Sequence, residues 1–274
     1  MLLSALMLSM MQIFVKLSSG HIGTYQQVFV RNLISMAVAY LFIKKKHLAP
    51  LGTKADQVVL FSRSFWGYTG MVMLFYAAKY AKQADVAILT RTSPVFVTLF
   101  AALFLKEKIT KIQIPVIVLC LGGAYVAMRP SFQSNFLPLF LALLSAVTSG
   151  IAYTLVAYCR GRVDPLSVIF HFSLFSTVAA GFMMIPSYTV PTLGDSAILF
   201  MIGICGSFGQ IGLTYAYQMA PAAEVSIYQY SGIIFTAALG YFILGESIAC
   251  TSLLGAVMIT GASVWTYIYG KRTG

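Results

Sequence analysis

Arg91 stands in the stretch Thr90-Arg91-Thr92-Ser93-Pro94, about seven residues inside an apolar run at 84–105. At 1.5 Å per helical residue that is roughly 10 Å below the end of the run. A charged side chain in hydrocarbon costs at least ~2.5–3.5 kcal/mol, so such a residue faces a wet cavity or a partner. One reading makes Arg91 an anchor for a carboxylate or phosphate on a bound molecule. The other makes it half of a structural pair, or a side chain reaching back to the headgroups. Pro94 removes a backbone donor beside it and loosens the helix there. Arg31 repeats the argument, about seven residues into a run at 24–43. Two buried arginines without a midplane acid favour an anionic or zwitterionic ligand.

Other polar side chains at membrane depth add to this set. Tyr228-Gln229-Tyr230-Ser231 is an unusually polar stretch within an apolar run. In lipid such groups turn inward and hydrogen-bond, either lining a cavity or joining helices. Tyr76, Tyr215 and Trp66 are aromatic candidates for stacking on a flat or cationic ligand, although Trp66 equally suits an interfacial belt. Asp85 and Glu224 open their runs, where a carboxylate either complements a helix N-terminus or takes up a proton. Glu107 and Glu246 close the same runs and are read as structural or gating groups that pair with Lys106, Lys108 or a neighbouring helix. His171 is either a proton carrier or a packing histidine.

Enzymatic alternatives lack their residues. No HExxH, paired metal-binding acids or Ser/His pair is present among seven acids and three histidines, which leaves a membrane-embedded enzyme without machinery. Glycine-rich stretches lack the Lys-Ser/Thr ending of a P-loop. Cys120, Cys159, Cys205 and Cys250 are too scattered for a metal or redox motif. No cofactor is expected. If the chain moves a solute, the energy would come from a substrate gradient, from exchange, or from protons carried by Asp85, Glu224 or His171. A channel or scramblase-like protein remains a second reading.

The elements that hold these residues are spans. Charged residues form 9% of the 274 and apolar ones 59%, against roughly 25% charged in soluble domains. Lipid is therefore the solvent for most of the outside. The net charge of +11 sits in short clusters such as Lys44-Lys45-Lys46, not in a basic stripe, which argues against nucleic acid. Cutting the chain at charged and turn-forming clusters yields ten runs: 1–18, 24–43, 57–80, 84–105, 111–128, 136–158, 166–185, 195–219, 222–244 and 249–269. Each approaches the ~20 residues of a spanning helix. The first has no basic flank or cleavage pattern, so it is read as a retained span. With both termini inside, the inner segments hold eleven lysines and arginines and the outer ones four, a positive-inside bias.

The chain also repeats itself. Residues 67–126 align with 206–265 at a constant offset of 139, with 15 identities over 60 positions, among them Gly67/Gly206, Gly70/Gly209, Tyr76/Tyr215 and Glu107/Glu246. Thr90/Gln229 and Arg91/Tyr230 are related positions. Runs three to five thus match runs eight to ten, and five spans per copy, an odd number, invert the second copy. The expected fold is an all-α membrane protein of ten transmembrane helices, arranged as two inverted five-helix repeats at 1–130 and 131–274. Inverted repeats are an architecture of secondary transporters, with the site near the midplane and alternating access about it. Ile233 replaces Pro94 in the second copy, so a kink is expected on one side alone. Gly203, Gly206, Gly209 and Gly212 make a smooth ridge for a neighbouring helix.

The segments Arg63-Ser-Phe-Trp-Gly67, Phe75-Tyr-Ala-Ala-Lys-Tyr80, Pro94 and Leu105-Lys-Glu107, repeated as Thr214-Tyr-Ala-Tyr217 and Leu244-Gly-Glu246-Ser, resemble an EamA domain. Arg31-Asn32 also resembles the second span of that domain, where the arginine is either a cavity charge or a structural pair. The resemblance implies a member of the drug/metabolite transporter superfamily. Such proteins move amino acids, nucleotide-linked metabolites, S-adenosylmethionine or drugs. A small-molecule substrate, a lipid bilayer and a monomer or homodimer are the partners it implies, in a bacterial inner membrane with both termini cytoplasmic. The aromatic, arginine-bearing centre favours amino acids or S-adenosylmethionine over sugars.

Overall fold

The computed structural model describes residues 1–18, 20, 22–81, 83–128, 135–244, 254–262 and 264–265. Its described residues contain helices and no strand. This follows from continuously apolar runs: in lipid every backbone group must be satisfied within the segment, and only a helix does that alone.

Eleven α-helices are bounded in full: α1 Leu2–Ser18, α2 Thr24–Lys45, α3 Gln57–Tyr80, α4 Gln83–Thr90, α5 Ser93–Phe104, α6 Gln113–Met128, α7 Phe136–Tyr158, α8 Pro165–Met184, α9 Leu193–Met219, α10 Ala222–Ile227 and α11 Ser231–Leu244. Residues 254–262 are also helical. Thr24–Lys45, Phe136–Tyr158, Pro165–Ser187 and Leu193–Met219 are long and apolar enough to cross a membrane on their own. Leu103, Phe104, Ile114, Val118, Phe182 and Phe242 point outward and are exposed, as lipid-facing side chains should be.

Local sequence accounts for several helix ends. Thr192 and Asp195 form a reciprocal capping box at the start of α9, and Asp164 accepts from the Leu166 amide ahead of Pro165 at the start of α8. α5 ends with Lys106 in the left-handed region at φ 55°, with the Glu107 amide bonded back to the Ala101 carbonyl at 3.2 Å. Glycine suits that position best, and the repeat-related residue is Gly245.

Packing joins helices far apart in sequence. α3 lies on α7 and α1 on α9; α2 lies on α8 and α9, and α3 on α8; α1 meets α11, and α5 meets α7. The glycine ridge of α9 carries α1 and α2 at close range. A Cβ added at Gly203, Gly206, Gly209 or Gly212 would lie 2.2 Å from Ile34, 2.9 Å from Arg31, 2.7 Å from Leu8 or 3.0 Å from Ser4. Hydroxyls stitch the same seam: Ser4 donates to the Gly209 carbonyl at 2.6 Å, and Ser35 and Ser207 lie 2.9 Å apart. Small residues with hydrogen-bonding hydroxyls suit helix association in lipid.

Two of the expected continuous runs are broken. The run at 84–105 stops at Thr90 and restarts at Ser93, as α4 and α5. The run at 222–244 divides into α10 and α11 around a 3-10 turn at Tyr228–Tyr230. The expectation of a one-sided kink is therefore corrected: both copies break, at positions related by the offset of 139. Proline is not required. In the second copy the tighter turn at Tyr228–Tyr230 displaces the helical ladder, and the Arg91 Nη1 donates to the Gln229 carbonyl at 3.2 Å, satisfying an acceptor in the break.

Candidate functional site

The two breaks meet through Arg91, and two further arginines, the half-buried Arg31 and the fully buried Arg63, lie within the same bundle. Arg91 sits between α4 and α5. Its guanidinium reaches Gln229 in the second break and lies beside Gly232, where an added Cβ would be 3.3 Å from Nη1. The Ser9 hydroxyl holds the Gly232 carbonyl at 3.1 Å. Arg31 on α2 lies over Gly206; its Nε is 3.2 Å from the Met11 sulfur and its Nη1 3.4 Å from the Asn32 side-chain oxygen. Asn32 is held in turn by donating to the Val28 carbonyl at 2.8 Å.

Arg63 on α3 is the third. It is 2% exposed, stacks over Phe172 at 3.8 Å and lies beside Gly67, where a Cβ would be 3.4 Å from Nη1. Its Nε and Nη1 are buried without a hydrogen-bond partner among the described residues. The repeat-related glycines Gly67 and Gly206 thus do the same thing: each leaves room for a guanidinium against a helix backbone.

Tyr153 on α7 joins the group, since its phenol interacts electrostatically with Arg31, Arg63 and Arg91. Its ring stacks on Tyr217 of α9 at 5.3 Å between centroids, and the Gln229 side chain donates to the Tyr217 hydroxyl. Tyr230 is fully buried beside Arg91, with its hydroxyl unpartnered among the described residues. No carboxylate among the described residues acts on any of the three arginines. The centre is therefore a cationic, aromatic-walled region. Its three guanidiniums stay charged at any physiological pH, so it suits recognition of an anionic group.

His171 on α8 stands at the Arg63 end, its Nδ1 2.9 Å from the Ser64 hydroxyl, which corrects the expectation that the chain holds no Ser/His pair: the two residues are 107 apart in sequence and only packing joins them. Ser231 turns its hydroxyl to the Tyr228 carbonyl at 2.6 Å, which stabilises the 3-10 turn and leaves Tyr228 and Tyr230 as neighbours in it. Tyr76 is instead exposed and packed at a 47° tilt against Tyr80, 4.7 Å between centroids, about 20 Å along α3 from Arg63 by helical rise. Tyr215 is half-buried on α9, and Trp66 is half-buried edge-on to Phe65. Glu224 is exposed in the first turn of α10. The side chain of Asp85 and all of Glu246 lie outside the described residues.

Glu107 has partners other than the flanking lysines named above. Its carboxylate accepts from the Ala222 and Ala223 amides at 3.1 and 3.3 Å, at the start of α10. Arg160, at the end of α7, stands 3.9 Å away and donates to the Tyr217 and Ala220 carbonyls. The cause is geometric: the left-handed Lys106 turns the chain so that Glu107 faces a neighbouring helix N-terminus, where amides are free.

Arg63, Tyr153 and Tyr217 were not among the sequence candidates for the site. Arg63 had a usable signal, a charge six residues after the start of a long apolar run, the same depth argument that singles out Arg31. Tyr153 and Tyr217 had none beyond being phenols within apolar runs.

Comparisons with known proteins agree with this architecture. The Pseudopaline exporter CntI of Pseudomonas aeruginosa is 30% identical over 96% of this chain and 92% of its own. The S-adenosylmethionine uptake transporter of Rickettsia bellii is 23% identical over 99% and 92%, and mouse solute carrier family 35 member G1 is 25% identical over 98% and 78%. A solved crystal structure shares the fold with a TM-score of 0.86 at 15% identity, over 98% of this chain and 96% of that one. The EamA-like transporter family model matches residues 1–129 and again 136–268. With that double match over a helical bundle whose polar centre is buried, the chain belongs to the EamA-like transporter family and is an integral membrane transporter of small molecules.

Proposed function

We propose that this protein is a secondary carrier that moves an anionic or zwitterionic metabolite by alternating access, with the cargo bound between the two helix breaks. The observation that carries this reading is the meeting of the two helix breaks through the Arg91–Gln229 hydrogen bond, with Arg31 and Arg63 held in the same bundle and no carboxylate partner for any of the three among the described residues. Buried charges are costly and persist where function uses them.

Ten spans in two inverted halves, 1–130 and 131–274, fit the packing. Exchanging the repeats turns the α1–α9 pair into α7–α3, the α2–α9 pair into α8–α3 and the α1–α11 pair into α7–α5, and all six pairs occur. Discontinuous helices at corresponding positions of two halves mark the binding region in carriers built this way. The positive-inside bias of the lysine-rich segments supports cytoplasmic termini in a bacterial inner membrane. Amino acids and S-adenosylmethionine-like compounds, which pair an α-carboxylate with a cation or a flat group, match arginines set among Tyr153, Tyr217 and Tyr230. One relative is an S-adenosylmethionine uptake transporter and another a pseudopaline exporter.

Reconstitution in liposomes loaded with a mixed pool of amino acids and S-adenosylmethionine tests this. Saturable uptake of a labelled compound that depends on the internal pool is expected. Flux that neither saturates nor responds to the internal pool would mean a channel, and equal uptake by an Arg91→Gln variant would remove the assigned site.

A further inference from the structure

Arg63 and Arg31 occupy different levels of the bundle. Along α2, Gln26 bonds to Thr189 just past the end of α8, Phe29 packs at Gly181, and Tyr40 meets Phe170. α2 and α8 therefore run in opposite directions. Along α3, Ser64 meets His171 and Tyr68 meets Phe175, so α3 runs with α8. α8 is thus a common ruler. Phe29 stands at Gly181 and Arg63 at Phe172, nine residues apart, and Arg31 is two residues further along α2 from Phe29. At 1.5 Å per residue, the backbone stations of Arg31 and Arg63 differ by about 10 Å along the bundle. Arg91 lies beside Gly232, whose carbonyl Ser9 holds, and Arg31 touches Met11 two residues further along α1, so Arg91 and Arg31 share the upper level; Arg63 with His171 and Ser64 makes the lower pole.

The poles differ in how far the protein satisfies them. Arg91 donates to a carbonyl and Arg31 to a sulfur and an amide oxygen. Arg63 has an aromatic face and two bare buried donors. Three fixed positive charges and no described counter-anion leave a centre that one carboxylate only partly neutralises.

Resting on the carrier reading above, and narrowing its cargo to amino acids and related metabolites with a second acid group, we infer that the cargo carries at least two carboxylates set apart along its length, one held by Arg31 and Arg91 and another by Arg63. Arg63 is then the residue that distinguishes a polycarboxylate from a simple amino acid. Tyr153, which acts electrostatically on all three arginines, stacks at 5.3 Å between centroids on Tyr217, whose hydroxyl accepts from Gln229 in the second break. A phosphate places its charges on one group and reaches one pole.

The test measures ligand-induced thermal stabilisation of the purified full chain in nanodiscs. The probes are butyrate, glycine, the dicarboxylates from malonate to adipate, and inorganic phosphate, each on wild type, Arg63→Gln, Arg63→Lys and Arg91→Gln. The best dicarboxylate should bind wild type about tenfold or more tighter than butyrate, the factor expected of one added hydrogen-bonded charge contact. Arg63→Gln should reduce that ratio to about twofold or less, and Arg63→Lys, which keeps the charge and secures folding, should retain part of it. A dicarboxylate no better than butyrate, a ratio unchanged in Arg63→Gln and Arg63→Lys, or phosphate equal to the best dicarboxylate would each overturn the inference. If glycine and butyrate bind in an Arg91-dependent way in those cases, the carrier reading survives. If Arg91→Gln alters no response, or no probe stabilises wild type, the anion-binding centre fails and the inference with it.

Discussion

Replacing Glu107 with glutamine should shift the balance between the two ends of the proposed carrier. The Glu107 carboxylate is contributed by the end of α5 and its amide partners by the start of α10, 115 and 116 residues away. It therefore stabilises only the arrangement in which those ends touch. Glutamine keeps one acceptor oxygen, so one of the two amides loses its partner and the other loses a charged one. Loss of a helix N-cap costs about 0.5–2 kcal/mol. The Arg160 contact at 3.9 Å has side chains 40% and 16% exposed, so after solvent screening it adds between zero and about 1 kcal/mol. A total near 1.5 kcal/mol changes the ratio of closed to open at this end by about tenfold. Spin labels at Ile109→Cys and Met219→Cys, both exposed, would report the opening by pulsed electron paramagnetic resonance in a background lacking the native cysteines. The longer-distance population should grow in Glu107→Gln and recover in Glu107→Asp. Superimposable distance distributions in wild type and Glu107→Gln would refute the reasoning and leave Glu107 as a local cap.

Arg91→Gln should lower the catalytic efficiency of uptake by at least about tenfold, since a hydrogen bond to a charged group is worth roughly 1.5–3 kcal/mol; initial-rate uptake in liposomes checks this. Tyr153→Phe keeps the ring stacked on Tyr217 but removes the phenol among the arginines, so transport should fall while the melting temperature stays within a few degrees. Gly203→Leu places a Cβ 2.2 Å from Ile34 and 2.8 Å from its Cβ, and should destabilise by about 1–3 kcal/mol through overpacking; Gly261→Ala, with nothing within 4 Å, is the neutral comparison in the same denaturation series. Lys106→Gly relieves a non-glycine residue at φ 55° and should stabilise by up to about 1 kcal/mol, read as a higher melting temperature.

The apolar runs were legible as helices because a stretch in lipid must satisfy its own backbone, a local requirement written in local composition. α3 occupies the whole of 57–80 and α7 the whole of 136–158. The glycines of α9 announced a close seam in the same way, since absence of a side chain is visible without knowing the neighbour. The offset of 139 matched Gly67 with Gly206 and Glu107 with Glu246, and so exposed a duplication. Depth within a run picked out Arg31 and Arg91, and the same measure applied to Arg63 would have found the third arginine.

What tertiary structure alone decided were partners and breaks. The 3-10 turn at Tyr228–Tyr230 carries no proline; it rests in part on a hydrogen bond from Arg91, 138 residues earlier. Glu107 could have met a flanking lysine, yet a left-handed Lys106 aims it at α10. Tyr153 has no distinguishing neighbours in sequence and becomes central only because α7 crosses the bundle beside α3 and α9. The physical reason is common to all three. Helix formation and helix seams are set by residues within a turn or two of each other, whereas a buried polar group is satisfied by whichever helix packing brings to it.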